Sequence, residues 1–256
     1  MAFAEWVSGL NSPFNIRFAS FPVTIPQAAL SSNSWSKPGL SPYEAYFDHL
    51  VEYVSPGNGL LSIKQDDLYL PGRGLDLDVA RAFSTPYAFH YSSSPYMYDN
   101  YTLSNIGYGW SLNFPWLGTN YLHLLDGQAY PYSWVGSTFE YHGALDFKLV
   151  NNGNGYTLYT SDGTICQFDS SKKLTSITDR TGNNVISFAY GANNYVSQVT
   201  DTLGRTVTFS YTNNQLTSIT SGGRTWTYGY SVNDLVSVTD PLNRVTTYQY
   251  NTGINS

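Results

Sequence analysis

Asp76 and Asp78 sit in the densest run of carboxylates in the chain, with Asp66 and Asp67 close behind. They alternate with Leu75, Leu77 and Val79, so they fall on one face of a strand. Two carboxylates on one face can ligate calcium with help from backbone oxygens. The plainer reading is the solvated outer face of a sheet, since charge alternating with apolar residues is what half-buried strands show. Asp76 and Asp78 are therefore a weak calcium candidate, and no other metal or cofactor is expected. Arg73, between Gly72 and Gly74, is placed to pair with one of these aspartates. The two glycines read as turn-formers and not as a phosphate cradle, because no helix follows them. The four histidines, His49, His90, His123 and His142, share no metal-ligand spacing. His123 alternates with Tyr121 and Leu125, which suggests a structural place on a strand. The single cysteine, Cys166, occupies the repeat position of Phe188 and reads as a small core residue, not a reactive thiol. No nucleophile elbow, P-loop or zincin motif is present. No catalytic residue is expected, and the chain reads as a non-enzyme.

The other residues with chemical potential are aromatic. Tyrosine alone numbers 23 among 256 residues. The last third repeats itself, with "LTSITD" at 174–179 returning as "VSQVTD" at 196–201, "LTSITS" at 216–221 and "LVSVTD" at 235–240. Tyr190, Tyr211, Tyr230 and Tyr250 follow at spacings of 21, 19 and 20 residues. Two alternating segments in each period of about twenty describe one β-hairpin per repeat. A hairpin alone is marginal, so the units are expected to pair into one growing sheet. Phe188, Phe209 and Tyr228, each two residues before a repeat tyrosine, are expected on one face in lateral contact or nearly so. Rings in such numbers invite stacking on sugars. A ladder recurring at one phase in every hairpin is better explained as sheet stabilisation.

The elements that would position these residues are nearly all strands. Charged residues are only 12% and aromatics 16%, which excludes disorder and favours large polar-aromatic β surfaces. The net charge of −6 divides as −7 over residues 1–163 (6 Lys/Arg, 13 Asp/Glu) and +1 over 164–256 (6 and 5). Neither half has the basic excess that nucleic-acid binding demands. No apolar run approaches a membrane span, and no signal peptide is visible in the first twenty residues.

Three regions are expected. Residues 1–56 form an N-terminal extension. In it Phe14, Ile16 and Phe18, then Phe21, Val23 and Ile25, alternate as a bulged strand over 14–25; a proline-rich loop follows. The segment 42–53 is the one helix candidate, with Ser41 as cap, Pro42 at the first position and Tyr46, Leu50 and Tyr53 on one face. Residues 57–163 form an opening β segment, with turns at Pro71-Gly72-Arg73-Gly74, Asp126-Gly127 and Asp162-Gly163. Residues 164–256 hold about four β-hairpin repeats, continuous with the preceding sheet. The fold class is all-β: one continuous antiparallel sheet, spiralling and open.

Three motifs together resemble the Rhs/YD-repeat family, whose β-shells occur in Rhs proteins, in the B and C components of Tc toxins and in teneurins. The repeat unit from Gly204-Arg205 through Tyr211 to Leu216-Thr217-Ser218-Ile219-Thr220 is one. The segment "DLYLPGRGLDLDVARAFST" at 67–85, with Pro71, Gly72, Arg73 and Gly74, is the second. "GYGWSLNF" at 107–114, with Gly109 and Trp110, is the third. The resemblance covers about 57–256. It implies a long sheet that winds into a hollow, toxin-enclosing shell at an extracellular or cell-surface location. The family's YD dipeptide is degraded here, to Tyr190-Gly191, Tyr211-Thr212 and Tyr230-Ser231.

The leading expectation is a non-catalytic structural wall segment, partnered by itself or by the remainder of a larger Rhs-type chain through open sheet edges. The alternative is a secreted self-assembling subunit that polymerises by strand addition, the 14–25 segment completing the next chain's sheet. A glycan-binding module is a distant third.

Overall fold

The computed structural model describes residues 44–47, 50–54, 61–84, 103–118, 121–124, 129–131, 133–135, 138–140 and 147–250. The described residues contain strands, turns and bends and no helix, so the chain is all-β. The expected strand at 14–25, the loop after it, the Asp126-Gly127 turn and His49, His90 and His142 lie outside the described residues.

Among the described residues the strands form three antiparallel sheets, where one continuous sheet was expected. The first is a five-stranded meander of β1 (Glu44–Phe47), β2 (Leu50–Val54), β3 (Leu61–Leu70), β4 (Leu77–Ser84) and β5 (Trp110–Leu112). The second is small: β6 (Trp116–Leu117), β7 (Tyr121–His123) and β8 (Ala129–Pro131). The third begins with β9 (Ser133–Val135) and β10 (Thr138–Glu140), joined at the single register pair Thr138↔Val150 to eleven strands that continue to Thr247. These are β11 (Phe147–Asn151), β12 (Gly155–Thr160), β13 (Ile165–Asp169), β14 (Leu174–Thr178), β15 (Val185–Tyr190), β16 (Val196–Thr200), β17 (Thr206–Thr212), β18 (Gln215–Ser221), β19 (Arg224–Ser231), β20 (Asp234–Thr239) and β21 (Val245–Thr247). Within each sheet every strand pairs with its neighbours in sequence, and the third sheet stays open. The sheet is divided for a physical reason. A single layer would leave one apolar face in water, and the apolar opening segment covers that face instead.

The helix expected at 42–53 is a hairpin, Glu44↔Tyr53 through Phe47↔Leu50, which pairs onward with β3. A lone helix of this length is marginal. Tyr46, Phe47, Val51, Tyr53 and Val54 are residues that suit a pleated surface, and the pairing partner decides the outcome.

The four hairpins β13–β14, β15–β16, β17–β18 and β19–β20 share one device. In each, the register shifts one residue before the ring that closes the first strand: at Gln167/Phe168, Ala189/Tyr190, Ser210/Tyr211 and Gly229/Tyr230. The shift is a β-bulge that inserts one residue into the return strand. It explains why the return strands bury residues three apart, Leu174 and Ile177, Val196 and Val199, Leu216 and Ile219, Leu235 and Val238. A regular strand would send the members of such a pair to opposite faces. In three hairpins the inserted residue, Thr175, Ser197 or Thr217, donates its hydroxyl to a carbonyl across the bulge (3.0, 3.2 and 3.1 Å).

Phe188, Phe209 and Tyr228 share the buried face, as expected, but not one lateral row. The rows run Phe188–Val199–Val207, then Phe209–Ile219–Trp226, then Tyr228–Val238–Thr246. Successive hairpins are staggered by two residues, so each aromatic meets an aliphatic neighbour. Cys166 stands in the Phe188 position, paired with Ile177, and burial pushes its thiol up to about 12. A thiol so hard to ionise is not a nucleophile at neutral pH.

Turns at one end of the sheet carry an aspartate cap. Asp201 Oδ1 accepts the N–H groups of Leu203 (2.9 Å) and Arg205 (2.8 Å), and Asp240 repeats this with Leu242 and Arg244. At the other end, the two-residue loop Val232–Asn233 places Val232 at φ +57°, with its side chain 85% exposed. A β-branched residue in the left-handed region with no burial in return is strained. Val232→Gly is expected to raise stability by about 1 kcal/mol. Urea unfolding measures this, and a loss of stability would contradict the assignment.

In the small sheet, His123 is paired with Trp116 and stacks on it (centroids 3.4 Å, planes 7° apart). Burial drives the imidazole down to about 3. An unfolded histidine titrates near 6.5, so between about pH 3 and 6.5 the unfolded chain binds more protons than the folded one. Stability therefore rises with pH across that window, by up to about 1.4 kcal/mol per unit from this group. Lowering pH from 7 to 5 should cost the wild type about 2 kcal/mol more than it costs His123→Phe. Equal losses in the two proteins would show that His123 is not the group responsible.

Candidate functional site

The residues that resemble family motifs converge on one place, the joint between the five-stranded sheet and the inner face of the repeat sheet. The joint begins with a bulge in β3. Asp66 pairs with Ala80 and Leu68 with Val79, which leaves Asp67 inserted between them. Alternation already sets Asp67 on the side of Ile63 and Gln65, and the inserted residue brings Leu68 and Leu70 to that side as well. The side chain of Asp67 is 3% exposed.

Asp67 Oδ2 lies 2.8 Å from Arg81 Nε, and Arg81 is 1% exposed. The approach is a charge contact and not an aligned hydrogen bond. Oδ2 also accepts the hydroxyl of Tyr228 (2.7 Å). Arg81 Nη1 donates to Tyr248 Oη (2.7 Å), whose own hydroxyl reaches Gln65 Oε1 (2.6 Å). The guanidinium carbon stands 5.7–5.8 Å from the ring centres of Trp110, Tyr228 and Tyr248. A cation is thus held in an aromatic cage, with the carboxylate as counter-ion. Burial raises the Asp67 carboxyl and the guanidinium opposes it. An arginine cannot shed its charge, which keeps the pair ionic. Burial pushes the Tyr228 phenol well up, so it stays a neutral donor.

The "GYGWSLNF" residues complete the joint. Trp110 packs on Phe83 (5.3 Å) and Tyr248 (4.8 Å), and its Nε1 donates to Tyr250 Oη (2.8 Å). Phe114 meets Phe188 edge to face at 5.0 Å. Asn113 bridges the backbone N–H of Ala80 (2.7 Å) and Asp78 Oδ2 (3.2 Å).

The segment just before β5 crosses the hairpins as a strap. Leu103 O accepts the N–H of Val196, Asn105 O accepts that of Leu216, and Tyr108 N–H donates to Asn233 O (2.8, 2.8 and 2.9 Å). The carbonyls of Leu174, Val196, Leu216 and Leu235 receive the hydroxyls of Tyr190, Tyr211, Tyr230 and Tyr250, at 2.9, 2.9, 2.7 and 2.7 Å. Each repeat tyrosine thus ties its hairpin to the preceding one. Gly107 lies where the strap passes closest: its φ is +100°, and a Cβ would stand 3.0 Å from Asn233 O and Leu235 N. Only glycine fits both demands.

The PGRG turn docks on the aspartate-capped end of the sheet. Arg205, held on Asp201 Oδ2 at 2.6 Å, donates to Pro71 O (2.7 Å). Gly74, at φ +111°, lies against Asn184 and Asp179, so a Cβ there would collide with the Asn184 amide. Hydrogen bonds from Asn184 and Thr181 hold Asp179 down at about 2.

No protein-family model matches the chain, and no curated protein matches it. The geometry itself must carry the functional reading.

Asp76 and Asp78 engage separate partners. Asp76 accepts the N–H of Gly72 (2.7 Å) and the hydroxyl of Tyr69, while Asp78 Oδ2 takes Lys64 Nζ (2.9 Å) and Asn113. Arg73 is exposed and forms no ion pair among the described residues; Lys64 takes Asp66 and Asp78, and Arg205 takes Asp201. Among the described residues no three His, Cys, Asp or Glu side chains gather as a metal site. The rings of Phe188, Phe209 and Tyr228 are buried, and Tyr190, Tyr211, Tyr230 and Tyr250 are half-buried against the core. Their faces are therefore not laid out as a sugar platform. No helix among the described residues is long and apolar enough to cross a membrane. The Asp67–Arg81 pair was missed from sequence. The signal was there, a lone inward arginine fourteen residues after an aspartate in the resembling segment, but the packing that seals the two together is not visible in the local pattern.

Proposed function

We propose that this chain is a non-catalytic structural wall segment of an Rhs/YD-type β-shell, with its opening segment folded back as a plug on the inner face of the first repeats. One observation carries the reading. The residues that resemble family motifs are the ones that form the joint: Gly74 and the carbonyl of Pro71 at one end, Gly107 and Trp110 at the other, and repeat tyrosines between. A joint of this kind organises the start of a repeat array, and an array grows by adding hairpins to its last strand. The test is to append one hairpin copied from residues 206–231 after Tyr250. A wall segment gains stability, and the amides of Val245 and Thr247 gain protection from hydrogen exchange. Unchanged or lower stability counts against the reading.

One observation favours the second reading, a self-assembling subunit. β21 ends the order of the largest sheet with β20 as its one partner among the described residues, and Val245 is 42% exposed. An open edge templates pairing with another chain. The candidate donor, Phe14 to Ile25, lies outside the described residues. Light scattering of the full chain against a variant lacking residues 1–30 tests it, and an unchanged oligomeric state rejects strand donation.

A further inference from the structure

From β14 to β21 the outer face of the repeat sheet carries hydroxyl rows, and its charges are confined to strand ends and turns. Register places Ser176, Ser187, Thr200 and Thr206 in one row. A second row is Gln198, Thr208, Thr220 and Thr225. A third is Ser210, Ser218, Thr227 and Thr239. Thr206, Thr208, Ser210, Thr225 and Thr227 are exposed. Between residues 174 and 250 every Asp and Arg falls in a turn or, as with Arg224 and Asp234, on the first residue of a strand. Arg224 moreover leans over the Trp226 ring on the inner side. Solvated sheet faces ordinarily carry lysine and glutamate, which keep sheets apart.

We propose that this face is a homotypic docking surface, on which a second copy of the chain packs its own outer face. Three features select a second copy. The acidic excess of the chain lies in residues 1–163, while 164–256 are near neutral at +1, so two repeat faces meet without like-charge repulsion. The area suffices: eight strands about 4.8 Å apart, each offering roughly 15 Å of charge-free length, cover about 500 Å² per copy, or near 1,000 Å² in total, the lower bound of a specific interface. The twist also suits, since two sheets of the same hand pack aligned at about −30°. Threonine presents methyl and hydroxyl together, so the contact joins modest apolar burial to hydrogen bonding across the layer. An interface of this size predicts a reversible dimer that grows with concentration.

Sedimentation of the full chain over a hundredfold range of concentration tests the proposal, alongside Thr208→Lys/Thr227→Lys and Thr208→Glu/Thr227→Glu. Both positions point outward, so thermal unfolding of each variant should match the wild type. The wild type should dimerise, each variant alone should associate at least tenfold more weakly, and an equimolar mixture of the two variants should recover association. A wild type that stays monomeric throughout overturns the proposal. So does a dimer indifferent to the paired lysines; if Val245→Pro then disrupts that dimer, the contact is the β21 edge instead. Neither result bears on the wall-segment reading, which the appended hairpin decides separately.

Discussion

Replacing Asp67 by Leu, or Arg81 by Met, is expected to cost about 3–5 kcal/mol each, because either change strands a buried charge without its partner. Both side chains are almost fully enclosed, at 3% and 1% exposure, so water cannot take the place of the lost ion. The double variant should recover most of the loss, since an apolar pair of similar size removes both desolvation costs together. It will still leave the Tyr228 hydroxyl without its acceptor, at a cost of about 1–3 kcal/mol. Adding Tyr228→Phe should relieve that remainder. Urea unfolding of the wild type, both single variants, the double and the triple gives the whole cycle. Single variants costing under 1 kcal/mol would mean that water reaches the joint and that the opening segment is not firmly packed there.

Phe209→Ala is expected to cost about 3–5 kcal/mol, the usual loss when a buried phenylalanine is truncated in a packed core. Phe209 is 4% exposed and lies in a row with Ile219 and Trp226, so the cavity would open at the centre of the repeat face. Tyr211→Phe, two residues on, probes the tie between hairpins alone. It removes one hydroxyl donated to Val196 O and should cost about 1 kcal/mol. The contrast is diagnostic: packing carries the array, and the tyrosine hydroxyls tune how successive hairpins lock. A Phe209→Ala loss well under 1 kcal/mol would put that ring in solvent and reopen the sugar-stacking reading.

The repeats were legible because a strand exposes its pattern locally. Alternation in "TVTFSYT" places Val207 and Phe209 on the buried face with no knowledge of the partner strand, and the structure puts both there. The Cys166 position and the Asp162-Gly163 turn were legible for the same reason, with Gly163 at φ +88° in the turn. The return strands were harder. "LTSI" violates strict alternation, and only the register shift at the bulge shows why Leu216 and Ile219 are both buried. The segment 42–53 carried a helical stripe, cap and proline, yet pairs as a hairpin because β3 supplies a partner that outweighs local preference.

The sequence by itself determined that the chain is all-β, that its last third is a hairpin array, and which aromatics face inward. Each of these depends on neighbours a few residues apart, and side-chain alternation records them. Tertiary structure decided that the opening segment forms its own sheet and packs on the repeat array. It also decided that Asp67, Arg81, Tyr228 and Tyr248 share one site, with Asp67 and Tyr228 161 residues apart. No local pattern encodes such a meeting. It follows from sheet packing that seals one inward carboxylate from water, and from the need of a buried charge to find its counter-ion before water is excluded.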